Sequence, residues 1–195
     1  FLERTMNNKK YDFRPSKRFI DNSKRENYLF NSQINGIEKA DLIFLIGTNP
    51  RYEATMLNAR IRKAYINNNV KIISLNDVGE LTYDYHSLDG KTKTIKDIID
   101  DNHKISKEII NAKNPMIILG ESFLKINSSD FLFNSLKEFL VKNKKFTEDW
   151  NPLNVLSVDA STVGNIDLDV FDQSNTVLDD LGKNKFEIIF LLGQD

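Results

Sequence analysis

Apolar residues along the chain fall into short unbroken runs, separated by longer stretches in which they recur every third or fourth position. The runs are Leu42–Ile46 (LIFLI), Val70–Leu75 (VKIISL), NPMIILG ending at Gly120, NVLSV (Asn154–Val158) and FEIIFLLG ending at Gly193. Continuous rather than alternating apolar runs suit strands buried on both faces of a parallel sheet. Between them, Ala54, Leu57, Ile61, Ala64 and Tyr65 form a helical stripe. Ile105, Ile109 and Ala112 form a second, and Leu132, Leu136, Phe139 and Leu140 a third, with Ser128 or Ser129 as its cap. Strands alternating with helices predict an α/β fold: a mainly parallel sheet with helices on both faces. Loops are expected at Asn67–Asn69, Asp89–Lys91 and Asn143–Asn151.

Three of the runs end in glycine, at Gly47, Gly120 and Gly193. The first continues into Gly47, Thr48, Asn49 and Pro50, a turn followed by an arginine-rich helix. Pro50 suits a first helical position, where its missing N–H costs nothing, and the Asn49 side chain can accept from a free backbone amide. Gly47 permits a tight turn at the carboxyl end of a strand, where open α/β sheets place ligands. The free amides and helix dipole of this turn could hold a phosphate. On the helix, Arg51, Glu53, Arg60 and Arg62 are candidates for intrachain or inter-subunit ion pairs, since a guanidinium forks two hydrogen bonds to a carboxylate.

Composition narrows the chemistry. In 195 residues there are 27 basic and 28 acidic side chains, for a net charge of −1, so no global field favours nucleic acid. There is no cysteine, which excludes disulfides, thiolate catalysis and Cys-held zinc or iron–sulfur clusters. The apolar runs are far below the ~20 residues of a membrane-spanning helix, so direct membrane insertion is not expected. His86 and His103 stand 17 positions apart with no HExxH pattern, and Asp167, Asp169 and Asp172 lack the glycine and terminal glutamate of a calcium loop. No GxSxG, GxGxxG or GxxxxGK[ST] motif occurs. Tyr83, Tyr85 and Trp150 are read as core rather than interface aromatics. No catalytic residue and no metal site is therefore assigned.

The wording of several segments goes further. ENYLFNSQINGIEKADLIFLIGTNPRYEATMLNARIRKA (Glu26 to Ala64), LTYDYHSLD (Leu81 to Asp89), AKNPMIILG (Ala112 to Gly120), WNPLNVL (Trp150 to Leu156) and FLLGQD (Phe190 to Asp195) together resemble the largest iron–sulfur subunit of respiratory complex I, in its molybdopterin-oxidoreductase-like region. The resemblance implies a Rossmann-like domain and a structural role in the complex's peripheral arm. It places the chain on the matrix side of the mitochondrial inner membrane, or on the cytoplasmic face in bacteria. It also implies that iron–sulfur clusters and FMN lie elsewhere in the complex. The partners would be the cysteine-rich half of the same subunit and neighbouring peripheral-arm subunits. In the molybdopterin enzymes the turn Gly47–Pro50 corresponds to one beside the nucleotide end of the pterin. Here it is expected to be a relic holding no cofactor, the alternative being a fragment of an active molybdopterin-dependent oxidoreductase. Residues 1–35, with Arg4, Lys9, Lys10, Arg14, Lys17, Arg18, Lys24 and Arg25, are expected to form an extended basic arm. Residues 36–195 are expected to form the α/β domain, incomplete at its C-terminal end, as a piece of a larger subunit.

Overall fold

Every position of β1 (Leu42–Ile46) is buried, as a two-faced central strand requires. In this computed structural model, which describes residues 5, 10–14, 17–171, 174 and 176–191, β1 pairs on one side with β2 (Lys71–Ser74) and on the other with β4 (Pro115–Leu119). The short edge strands are β3 (His86–Ser87) beside β2 and β5 (Leu153–Val155) beside β4. All the pairings are parallel, and the order is β3-β2-β1-β4-β5. The chain therefore winds outward from β1 in one direction, then returns to build the other half. The β1–β4 boundary is the point where this winding reverses.

Crossover helices cover both faces, beside two single-turn helices, α1 (Gln33–Gly36) and α6 (Glu121–Leu124). On one face Phe44, Ile46, Ile73, Ile117 and Leu119 pack with α4 (Thr92–Ile99), α5 (Lys104–Asn111) and α7 (Ser129–Lys142). On the other, Ile43, Leu45, Ile72, Met116 and Ile118 pack with Leu57, Ile61 and Ala64 of α3 (Thr55–Asn68) and with Trp150. Each fully buried Ile, Leu or Phe contributes on the order of 1.5–3 kcal/mol. The register of the central pair is fixed at its start by Asp41, whose carboxylate accepts from the backbone amides of Lys113 (2.6 Å) and Asn114 (2.9 Å).

The chain divides into two units, residues 19–160 and residues 1–18 with 161–195. The sheet lies wholly in the first, to which residues 19–35 of the expected arm belong. There Tyr28 is buried, and an antiparallel bridge joins Phe30 to Asn154 on β5. The second unit contains α8 (Thr162–Asp167) and α9 (Thr176–Gly182). Its basic residues meet carboxylates of this chain: Arg14 bonds Asp12 with both side chains buried, Lys17 pairs with Asp179, and Lys10 with Asp180. Arg14 also lies over the Phe171 ring, 5.3 Å from its centre.

Several sequence expectations are corrected. The run 186–193 was expected as a strand. Its described part, residues 186–191, has no strand partner among the described residues, and Ile188, Ile189, Phe190 and Leu191 are exposed; Leu192 and Gly193 lie outside the described residues. Apolarity alone does not make a strand without a neighbouring edge to supply hydrogen bonds. The fifth strand starts one residue earlier than expected and stops at Val155. Ser128 precedes α7 without a capping bond, and Ser129 is buried in the first turn. The Asn67–Asn69 loop is shorter than expected, because α3 runs to Asn68 and ends on Asn69 in the left-handed conformation. Of the three aromatics, Trp150 is buried with Nε1 donating to the Pro115 carbonyl (2.8 Å) and Tyr83 is buried too, whereas Tyr85 is only half-buried against the core. Asp172 lies outside the described residues, His86 is exposed on β3, and His103 caps α5 by accepting from the Ile105 amide at Nδ1.

Candidate functional site at the strand-reversal point

The loops leaving β1 and β4 meet where a doubly wound sheet usually opens a crevice. Here they close on each other. The Gly47 carbonyl accepts from the Ser122 amide (3.2 Å), and the Gly120 amide donates to the Ile46 carbonyl (2.9 Å). Gly47 has φ +66°, and a Cβ placed on it would lie 2.4 Å from the Phe123 backbone nitrogen. A Cβ on Gly120 would lie 2.4 Å from the Thr48 Cβ. Both glycines are thus required by close backbone approach between the loops rather than by space left for a ligand.

The Thr48 hydroxyl and the Asn49 and Arg51 amides are also engaged. Asn49 caps α2 (Pro50–Glu53), its Oδ1 accepting from the Arg51 amide at 3.1 Å. Glu53, at the end of the same short helix, folds back over the turn. Its Oε2 accepts from the Thr48 hydroxyl (2.8 Å) and its Oε1 from the Asn49 amide (3.1 Å). This is a capping interaction with the acidic residue four positions after the cap rather than three, which is why a capping-box pattern does not reveal it. The carboxylate takes the place an incoming anion would need, and it would repel one.

A third loop, residues 76–85, lies over this end of the sheet. The Asn49 amide group donates to the Val78 carbonyl (2.8 Å), and the Arg51 guanidinium bonds the Glu80 carbonyl (2.8 Å) and carboxylate (3.0 Å). The loop is braced internally. The Gly79 amide and then the Tyr85 hydroxyl bond Asp77, holding its carboxyl below the usual range. Tyr83 donates to Asn58 Oδ1 (2.7 Å) and its burial pushes the phenol well above its ordinary pKa.

Of the residues singled out in the sequence, Gly47, Thr48, Asn49, Pro50 and Glu53 are brought together, and Arg51 reaches out from them to Glu80. Arg60 stands apart, bonded to Glu38 at 2.6 Å, a carboxylate shared with Lys63 at 2.9 Å. These two cations lower the Glu38 pKa, Lys63 contributing more. Arg62 is exposed and meets no carboxylate among the described residues. Glu38, Ser122 and the part played by the 76–85 loop were not anticipated, since they come from separate segments; Gly120 was marked only as the glycine ending NPMIILG.

This is a Rossmann-like parallel α/β domain whose ligand edge is closed by its own side chains. The chain belongs to the molybdopterin oxidoreductase family, whose model matches residues 1–195. It is 38% identical over 172 residues to a protein of Candida albicans called NADH-ubiquinone oxidoreductase 78 kDa subunit, mitochondrial; the match covers 88% of this chain and 23% of that one. It is 33% identical over 171 residues to NADH dehydrogenase [ubiquinone] iron-sulfur protein 1, mitochondrial, of Solanum tuberosum, covering 88% and 22%. It is 34% identical over 173 residues to the NADH-ubiquinone oxidoreductase 75 kDa subunit of Reclinomonas americana, covering 88% and 25%. The chain spans about a quarter of the length of these relatives. The family implies a pterin cofactor, and the residues of the Gly47–Pro50 turn do not fit its anionic end: the Thr48 hydroxyl and the Asn49 and Arg51 amides are bonded within the chain, and a carboxylate stands among them.

Proposed function

We propose that this chain is a structural, cofactor-free portion of the large iron–sulfur subunit of NADH:ubiquinone oxidoreductase. It would sit in the peripheral arm on the matrix side of the mitochondrial inner membrane and support NADH-to-quinone electron transfer coupled to proton pumping. The observation that carries this reading is the Glu53 carboxylate bonded to the Thr48 hydroxyl and the Asn49 amide, a self-capped turn that holds an anionic group of its own where a ligand's phosphate would be met. The absence of cysteine supports the assignment of the iron–sulfur clusters to other parts of the complex, as FMN would be. Among the described residues no helix is long and apolar enough to cross a membrane, in keeping with attachment through partner subunits. The domain's contribution is a rigid body with two filled cores, against which the cysteine-rich half of the subunit and its neighbours pack.

A fragment of an active molybdopterin-dependent oxidoreductase is the competing reading, favoured by the family match over the whole chain. One experiment separates them. The native assembly is purified through a tag on this chain and assayed for NADH:quinone reduction, iron and pterin. Quinone reduction with iron and no pterin is the expected result; stoichiometric pterin, or no association with an NADH-oxidising assembly, would overturn the proposal.

A further inference from the structure

The connection from β2 to β3 has the form of a lid. Its two ends lie side by side, because Ser74 pairs with Ser87 and the amides of Leu88 and Gly90 donate to the carbonyls of Ser74 (2.9 Å) and Leu75 (2.7 Å). A compact surface loop with joined ends, packed by its own side chains, is an Ω-loop. Within it Asp77, Gly79, Glu80, Thr82 and Asp84 are exposed, while Leu81 and Tyr83 are buried. Both buried residues are tied to one side chain. Asn58 of α3, itself buried, donates from Nδ2 to the Leu81 carbonyl (3.2 Å) and accepts from the Tyr83 hydroxyl at Oδ1 (2.7 Å). The other ties to α2 and α3 lie further out: Asn49 to Val78, Arg51 to Glu80 and Tyr65 to Asp84. Between the two anchors stands Thr82, with φ +73°. A β-branched residue is an outlier in this left-handed region, which asparagine and glycine enter at little cost. Such strain persists only where the surroundings hold it, and Asn58 grips the residue on either side.

We propose that residues 76–85 are a lid that opens and closes as a unit over the carboxyl edge of the sheet while the strands stay folded, with Asn58 as its latch and Thr82 as the strained element that favours opening. The β2–β3 pairing is the hinge, since it holds both ends of the loop to one strand. Segments with few buried side chains and outlying hydrogen bonds open at much lower cost than core strands, and here two buried side chains hold the whole loop. An opening lid gives up its bonds to Asn49 and Arg51, so it also uncovers the turn at Gly47–Pro50. The inference goes beyond a scaffolding role: it gives an otherwise rigid domain one part with two positions, controlled from α3.

Hydrogen exchange, read by mass spectrometry on the tagged full chain in its native assembly, tests this. Amides of residues 77–85 are expected to exchange about tenfold faster than those of β1 and β4, or more. N58A, which removes the latch and leaves the Tyr83 hydroxyl unpaired, should speed the loop's exchange by roughly a further tenfold and leave β1 unchanged. T82N relieves the strained position without adding the freedom of a glycine, and should slow the loop's exchange about threefold. A wild-type loop that exchanges as slowly as β1, a T82N loop that exchanges no more slowly than the wild type, or an N58A chain in which β1 loosens together with the loop would overturn the inference. If N58A does not fold, T82N and the wild-type comparison decide the matter between them.

Discussion

Glu53 holds Thr48 by a 2.8 Å bond from the Thr48 hydroxyl, and through the same carboxylate it caps the amide of Asn49. A turn that could serve a ligand is thereby made part of the scaffold. Replacing Glu53 by Ala frees two donors, of which Thr48 belongs to a buried residue. The expected cost is about 1–2 kcal/mol, read as a lower urea midpoint with an unchanged slope. An unchanged midpoint would show that water replaces the carboxylate without loss.

Gly47 and Gly120 are each unable to take a side chain without moving backbone. G47A combines a positive φ with a contact on the Phe123 nitrogen, and G120A drives its methyl into Thr48. Each is expected to destabilise the sheet unit by about 2–4 kcal/mol. Gly79 has φ +77° but nothing within 4 Å, so G79A should cost only about 1 kcal/mol. Equal losses in thermal unfolding for all three would refute the close-approach argument.

Tyr83 is buried with its hydroxyl bonded to Asn58, and its pKa is raised chiefly by burial. A phenol kept neutral in the fold contributes stability that is whole below the ordinary tyrosine pKa of about 10 and is lost as pH rises towards the folded value. Stability should therefore fall steeply above about pH 10, and Y83F should flatten that fall. Ultraviolet titration alongside denaturant melts measures both; a tyrosine complement that ionises entirely near pH 10 without unfolding would count against it.

Glu38 runs the opposite way. Lys63 first and Arg60 next favour its ionised form, so its folded pKa lies below the unfolded one. Its contribution is present above the ordinary glutamate pKa of about 4.3 and disappears as pH falls through the lower folded value. Carbonyl-detected NMR titration should place Glu38 below the ordinary glutamate value, and E38Q should remove that portion of the acid dependence.

Ile188 to Leu191 form four consecutive exposed apolar residues. The isolated chain is accordingly expected to aggregate when expressed alone. The double variant I189K/F190K should raise the soluble fraction several-fold, because charges block edge-to-edge pairing. Sedimentation of the wild-type chain as a monomer with a cooperative melt would refute this.

How much of this was legible beforehand follows the range of the interactions. The buried strands at Leu42, Val70 and Met116 announced themselves because a two-faced strand is apolar along an unbroken run, and the stripes of α3 and α7 because one helical face meets the core. The GTNP turn was legible as a cap and a tight glycine. Its closure was not, since Glu53 acts one position beyond the usual box, and Phe123, Val78 and Glu80 arrive from other segments. α4 escaped because Thr92, Ile95, Ile98 and Ile99 are few residues on a short polar helix. The run at 186–193 misled because an apolar segment reads as a strand wherever it lies, while strand formation depends on an edge that local sequence does not encode.

The clamp between Asp41 and Asn114 spans 73 residues. The two central strands therefore meet only after most of the domain has emerged from the ribosome, on the order of 4–15 s at ordinary synthesis rates. Until then β1, the most apolar segment of the sheet, has β2 as its sheet neighbour on one side and a bare edge on the other. Such long-range parallel pairing folds slowly and exposes that edge meanwhile. The strand order itself thus sets how long that edge stays bare during synthesis.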